Sequence, residues 1–95
     1  MRRVFEYIVN GDLDALKQSQ KGMPPSYLLK MRQQGLTPLI HACNARNCDI
    51  VNYFLNEVGA DPSELSKQET ALHRAIFQND YQICKILLDK GANVE

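Results

Sequence analysis

"TPLIHACNARNCDIVNYFLNEVGAD" (residues 37–61) and "TALHRAIFQNDYQICKILLDKGAN" (70–93) are two copies of one pattern. Thr37 falls on Thr70, Leu39 on Leu72, Ala42 on Ala75 and Ile50 on Ile83, while Phe54 and Leu55 fall on Leu87 and Leu88. The offset is 33 residues, but the Gly-Ala pairs at 59 and 91 lie 32 apart, so the first copy carries one extra residue near Val58. A weaker third copy lies upstream, where "NGDLDALK" (10–17) matches "RNCDIVN" (46–52) and "NDYQICK" (79–85). Three copies in 95 residues mean a stack, not one closed core.

Each copy reads as helix, tight turn, helix, loop. Thr37 suits a helix N-cap, and Pro38 behind it fills the first helical position, where a missing N–H costs nothing. Thr70 repeats the cap, and short apolar helices follow over 39–45 and 72–78. Asp12, Asn47 and Asp80 are suited to cap second helices near 13–20, 48–57 and 81–90. Each of these ends close to a glycine (Gly22, Gly59, Gly91), which fits the left-handed residue that closes a helix. Helices of about seven residues are marginal alone in water, so neighbouring copies must supply the stability.

Composition narrows the function classes. Eleven basic and eleven acidic residues cancel and are dispersed, which disfavours nucleic acid and acidic membranes as partners. "KMR" (30–32) with Met1-Arg2-Arg3 makes at most a small basic patch, and a solvated face is the simpler account. Three cysteines without a disulfide spacing point to reduced thiols in an intracellular protein, cytoplasmic or nuclear. The start, "MRRVFEYIVNGD", lacks the apolar run of a signal peptide, and nothing approaches membrane-spanning length. No glycine-rich phosphate loop is present, and Asp12 with Asp14 reads as a helix cap rather than an acid–base pair.

The residues resemble the ankyrin repeat, with its 33-residue period, Thr-Pro-Leu-His opening and Gly-Ala-Asp close. "TPLIHAC", "TALHRAI", "GADPS" and "GANVE" carry the resemblance. It implies an all-α solenoid of stacked antiparallel helix pairs with hairpin-like loops, divided into a degenerate N-terminal capping repeat (4–34) and repeats at 35–67 and 68–95. The N-terminal third matches only around its second helix. In the family the signature histidine ties neighbouring loops; here it is His73, while Ile40 replaces it in the preceding repeat, so one tie is expected to be missing. The glycine expected between paired helices is Arg46 in one repeat and Asn79 in the next. The connection 22–35 is longer than the family's, and Tyr27, Leu28, Leu29 and Met31 make it apolar enough to pack on the first two repeats.

The histidine and cysteine of "TPLIHAC" raise a chemical alternative. His41 and Cys43 are two apart on a helix, so they point about 200° apart and cannot grip one ion together. No CxxC or HxxxH spacing completes a zinc site, and Cys84 sits among Ile83, Ile86 and Leu87 as a buried small apolar residue would. The expectation is core or inter-repeat cysteines, a surface His41, and no metal, cofactor or catalytic residue. A cysteine-based metal-binding or redox enzyme is the competing function.

By the resemblance, the expected function is a non-catalytic protein-interaction module, a scaffold or adaptor, that binds through loop tips and the concave face of the first helices. The matching positions are Gln33, Gln34, Leu36, Asn44 and Ala45 in one repeat and Ser66, Lys67, Glu69, Phe77 and Gln78 in the next, with His41 and Arg74 alongside. An exposed Phe77 beside Arg74 has the composition of an interface hot spot, unless it packs on a following repeat or the loop. The first copy has a polar outer face in Lys17, Gln18, Ser19 and Gln20, but "YQICKILLDK" is apolar on most sides. The chain is therefore expected to belong to a longer protein, or to have its open end covered by a partner or by self-association.

Overall fold

Five helix starts carry the side-chain caps that the sequence leads one to expect. Thr37 Oγ1 accepts from Ile40 N at 3.2 Å and Thr70 Oγ1 from His73 N at 3.2 Å. Asp12, Asn47 and Asp80 accept from Ala15, Ile50 and Ile83 N at 3.1, 3.0 and 3.2 Å. A cap of this kind contributes about 1 kcal/mol. The computed structural model describes residues 4–92. Residues 1–3, with Arg2 and Arg3 of the small basic patch, and 93–95, the last positions of the 68–95 unit, lie outside the described residues.

The helices run α1 (Val4–Asn10), α2 (Leu13–Ser19), α3 (Pro25–Leu29), α4 (Pro38–Asn44), α5 (Cys48–Tyr53), α6 (Ala71–Phe77) and α7 (Tyr81–Asp89). They pair as α1/α2, α4/α5 and α6/α7. Across the stack α1 packs on α4 and α4 on α6, while α5 packs on α7, which stretches the molecule to 36 × 22 × 21 Å. Ala42 and Ala75, both buried, let the first helices approach closely. The core runs through all pairs in one cluster, with Ile8, Leu16, Ile40, Cys43, Ile50, Val51, Phe54, Leu72, Ile83 and Leu87 fully enclosed.

The turn inside each pair is the same in all three copies. Gly11, Arg46 and Asn79 have φ of 74°, 59° and 58°, and the next N–H reaches back to Tyr7, Ala42 and Ala75 carbonyls. The left-handed backbone expected at the glycine position is thus kept at Arg46. Its guanidinium Nη2 donates to the Gln78 carbonyl at 2.9 Å, a bond between neighbouring pairs that helps offset the unfavourable φ. The turn at Gly11 follows a full first helix, α1, so the N-terminal copy keeps the helix pair although its sequence matches the family only around the second helix. Val4 and Ile8 repeat at helical spacing, and Phe5 joins them in the core.

Two irregularities meet in space. The extra residue of the middle copy is taken up by a π-helical turn, Phe54–Val58, that continues α5 and closes on Gly59 with φ 85°. Against it packs α3, the helix formed by the long connection, with Leu28 1% exposed. Arg32 secures the end of this insert by donating to the Leu29 and Met31 carbonyls and to Glu64 Oε2 at 2.9, 2.7 and 2.6 Å. The connection packs on the stack as expected, but Tyr27 does not take part: it stays 51% exposed.

Leu28→Ala should therefore destabilise the chain by about 2–4 kcal/mol, as for any enclosed leucine. A urea melt reads this directly; a loss below about 0.5 kcal/mol would mean that the insert is not part of the core.

Candidate functional site

Two hairpin tips project from the stack. Gln33 pairs with Leu36, and Ser66 with Glu69, each through two reciprocal backbone hydrogen bonds of 2.8–3.1 Å. The central residues, Gln34-Gly35 and Lys67-Gln68, all have positive φ, the geometry of the tight two-residue turn that matches strand twist. Gly35 is favoured by its φ of 78°; a Cβ there would meet only the flexible end of the Lys67 side chain, Cε at 2.6 Å, which lies across the first tip and is free to shift.

Between the tips and the last turn of the first helices, six residues, five of them expected surface positions, form two small side-chain groups. Arg74 Nη2 bonds Glu69 Oε1 at 3.0 Å, and its guanidinium carbon stands 5.9 Å from the Phe77 ring centroid. Phe77 is 79% exposed. Gln78 Nε2 reaches the carbonyl and Oδ1 of Asn44 at 3.4 Å, and Arg46 holds the Gln78 carbonyl. Two buried atoms here, Arg74 Nε and Gln78 Oε1, have no hydrogen-bond partner in the structure. Gln33, Gln34 and Lys67 are exposed, and Leu36, Asn44, Ala45, Glu69, Arg74 and Gln78 are partly so. Two expected surface residues are not on the surface: Ser66 is 6% exposed, although Gln33 at the same place in the first hairpin is exposed, and His41 is 7% exposed.

A family model for ankyrin repeats in three copies matches residues 4–95. The chain belongs to the ankyrin-repeat family. Diacylglycerol kinase iota of Mus musculus is 33% identical over 95 residues, and that of Homo sapiens 32% identical over 97. In both cases 96% of this chain aligns with 9% of the relative, so the chain spans about a tenth of the length of these curated relatives. A putative ankyrin repeat protein of Acanthamoeba polyphaga mimivirus is 40% identical over 63 residues, covering 64% of this chain and 8% of the viral protein. Among solved structures, the complex of a Bdellovibrio bacteriovorus predatory endopeptidase with an immunity protein contains a chain with TM-score 0.82 and 28% identity. The match covers 99% of this chain and 48% of that one.

The ankyrin histidines reverse their expected roles. His73 is exposed and serves its own helix: its Nδ1 accepts from Thr70 N at 3.1 Å and lies 3.2 Å from Thr70 Oγ1, completing a capping box. His41 is the buried one. Its Nε2–H donates to the Gln33 carbonyl at 2.9 Å, tying the first hairpin to α4, and its ring packs edge-on against Phe5 at 5.0 Å and 74°. The family's signature does not extend to α1, so nothing in the sequence places Phe5 over His41, and the position reads as solvated.

The cysteines do not converge on a reactive centre. Cys43 is fully buried, and burial first, then the Asp80, Cys84 and Cys48 charges, push its thiol up to about 12. Burial first and Asp80 second also raise the Cys48 and Cys84 thiols. Cys84 is only partly buried, less than its apolar setting suggests, and Cys48 Sγ donates weakly to Gln82 Oε1 at 3.7 Å. Among the described residues, no three His, Cys, Asp or Glu side chains are grouped to hold a metal ion.

His41→Ala should cost about 2 kcal/mol through a lost buried hydrogen bond and ring contact, and His73→Ala about 1 kcal/mol or less. Urea midpoints check the order, and a more damaging His73 change would contradict these assignments. The Cys43 thiol is raised on folding, so the stability it contributes is present below the ordinary value of 9.0 and lost as pH climbs towards 12. Stability should therefore fall more steeply above pH 9 in the wild type than in Cys43→Ala; parallel pH profiles would show that the thiol is not held protonated.

Proposed function

We propose that this chain is a non-catalytic protein-interaction module, a scaffold or adaptor element built of units 4–34, 35–67 and 68–95. It binds a partner protein through its hairpin tips and the neighbouring first-helix surface. One observation carries the reading. Phe77 stands almost wholly in solvent beneath an arginine that Glu69 holds in place, so a large apolar contact is presented ready-oriented at little entropic cost. Ankyrin repeats are in general protein–protein interaction modules, and the solved neighbour is a complex of two proteins. Because the likeness to diacylglycerol kinase iota covers 9% of that enzyme, the chain is assigned the role of a repeat module and not a kinase activity. The raised thiols speak against the cysteine-enzyme alternative, since a nucleophilic cysteine needs a lowered pKa. The balanced, dispersed charge speaks against nucleic acid or an acidic membrane as the partner. No helix of the described residues is long and apolar enough to cross a membrane. Three free cysteines support a reducing compartment, cytoplasm or nucleus.

An affinity capture with wild-type chain against the Phe77→Ala/Arg74→Ala double variant tests this reading. The variant should lose the partner that the wild type retains; recovery of the same proteins by both would place the binding face elsewhere.

A second contact surface is favoured by an internal comparison. Ile40, Cys43, Val51 and Leu55 of the middle repeat are buried. Of the same positions in the first repeat, Phe5, Ile8 and Leu16 are buried and Gln20 is partly so. In the last repeat they are His73, which is exposed, Ile76 at 54%, Cys84, partly exposed, and Leu88 at 45%. The uncovered face is thus the one with which each preceding repeat grips its neighbour. It would be covered by further chain or by a second copy. For the 95-residue chain in isolation, sedimentation across a wide concentration range should show self-association that Ile76→Lys/Leu88→Lys abolishes; a wild type monomeric throughout would exclude it.

A further inference from the structure

We propose that the groove between α1 and the 23–35 insert is a separate peptide-binding site, which takes an extended acidic peptide through one large apolar anchor residue. The proposal rests on the protein-binding reading above but uses none of the Arg74–Phe77 surface. A cavity of about 400 Å³ is lined by Phe5, Tyr27, Lys30, Met31, Arg32 and Gln33. A second of about 400 Å³, lined by Phe5, Glu6, Val9, Asn10 and Gln33, shares Phe5 and Gln33 with it, so the two form one trough along α1. Phe5 makes its floor, Met31 is half-buried, and Tyr27 and Val9 stand exposed in the two halves. This is the size of site that encloses a large side chain and part of the backbone on either side of it.

The trough is held open by contacts already described. His41 fixes both shared residues, with its ring against Phe5 and its Nε2–H on the Gln33 carbonyl. Leu28 and Arg32 anchor the insert that forms the other wall. A site set in place this way spends little binding energy on ordering itself. It also accounts for Tyr27, a large aromatic side chain on the insert that the core leaves in solvent.

Charge selects the occupant. Arg32 is neutralised by Glu64, but neither Lys30 on the groove nor Lys67, whose stem lies over Gly35 at the adjoining hairpin, has a carboxylate partner among the described residues. The carboxylate lining the trough is Glu6, at the Val9 end. The field is therefore positive at the Lys30 end and favours a peptide whose acidic residues lie there, next to the anchor between Tyr27 and Met31.

Selection from a random peptide display library on the intact 95-residue chain tests this. Enriched peptides should pair one aromatic or large aliphatic residue with Asp or Glu. Fluorescence anisotropy with a selected peptide should show Tyr27→Ala weakening binding about tenfold and Lys30→Glu about fivefold. Replacing the acidic residue of the peptide by lysine should restore binding to Lys30→Glu. Tyr27 and Lys30 are both exposed, so circular dichroism should find these variants folded. Phe77→Ala should leave the affinity unchanged, which separates this site from the surface tested by affinity capture. No enrichment, equal binding by Lys30→Glu, loss of binding in Phe77→Ala, or retention of anionic vesicles or oligonucleotides in place of peptides would overturn the proposal.

Discussion

The stacking of one helix pair on the next is the interaction on which everything else depends. No α-helix among the described residues exceeds nine residues, and most have seven or fewer, lengths that do not hold in water unaided. The five caps stop the ends from fraying, but each contributes only about 1 kcal/mol. What makes the helices persist is the removal of Ile8, Leu16, Ile40, Val51, Leu72 and Leu87 from water between and within pairs. The middle pair gives up solvent on both sides; the outer pairs do so on one. Stability is therefore greatest in the centre and declines towards α7, whose outer face remains open.

The same constraint decides where function can reside. Positions between pairs are committed to the stack, which leaves the hairpin tips, the free side of the first helices and any departure from the regular unit. The proposed binding surfaces draw on all three. Tips built on positive-φ turns carry Gln34 and Lys67 outwards, and the first-helix side carries Arg74 and Phe77. The departures, the insert and the extra residue of the middle repeat, support each other: α3 packs on the π-helical turn and thereby turns a long connection into the wall of a groove. A single buried histidine, His41, links that groove to the repeat behind it.

Much of this was legible in the sequence because the signals are local and repeated. Thr37, Asn47, Thr70 and Asp80 cap helices for reasons contained within four residues, and the 33-residue offset aligns them without knowledge of the fold. The one-residue slip near Val58 was visible as a count, though not as a π-helical turn. What failed was long-range. Helix α1 carries no cap signal and no Thr-Pro opening, so its Val4, Phe5 and Ile8 were not assigned to the core, and His41 lost the neighbour that buries it. Ser66 looks like a polar loop residue, yet it is buried while Gln33, at the same place in the first hairpin, is exposed, a difference that the repeat pattern does not carry. The candidate surface was readable as a set of positions; which of them form ion pairs, stack or hold hairpins required the fold.

Native-state hydrogen exchange measured residue by residue tests the central claim most directly, because it reports the opening free energy of each helix separately. The stacking account predicts slowest exchange at Ile50, Val51 and the inner amides of α4, with opening energies falling towards α7 at the uncovered end. Equal protection of α7 and α5, or helices that open independently of their neighbours, would show that stability does not come from burial between repeats.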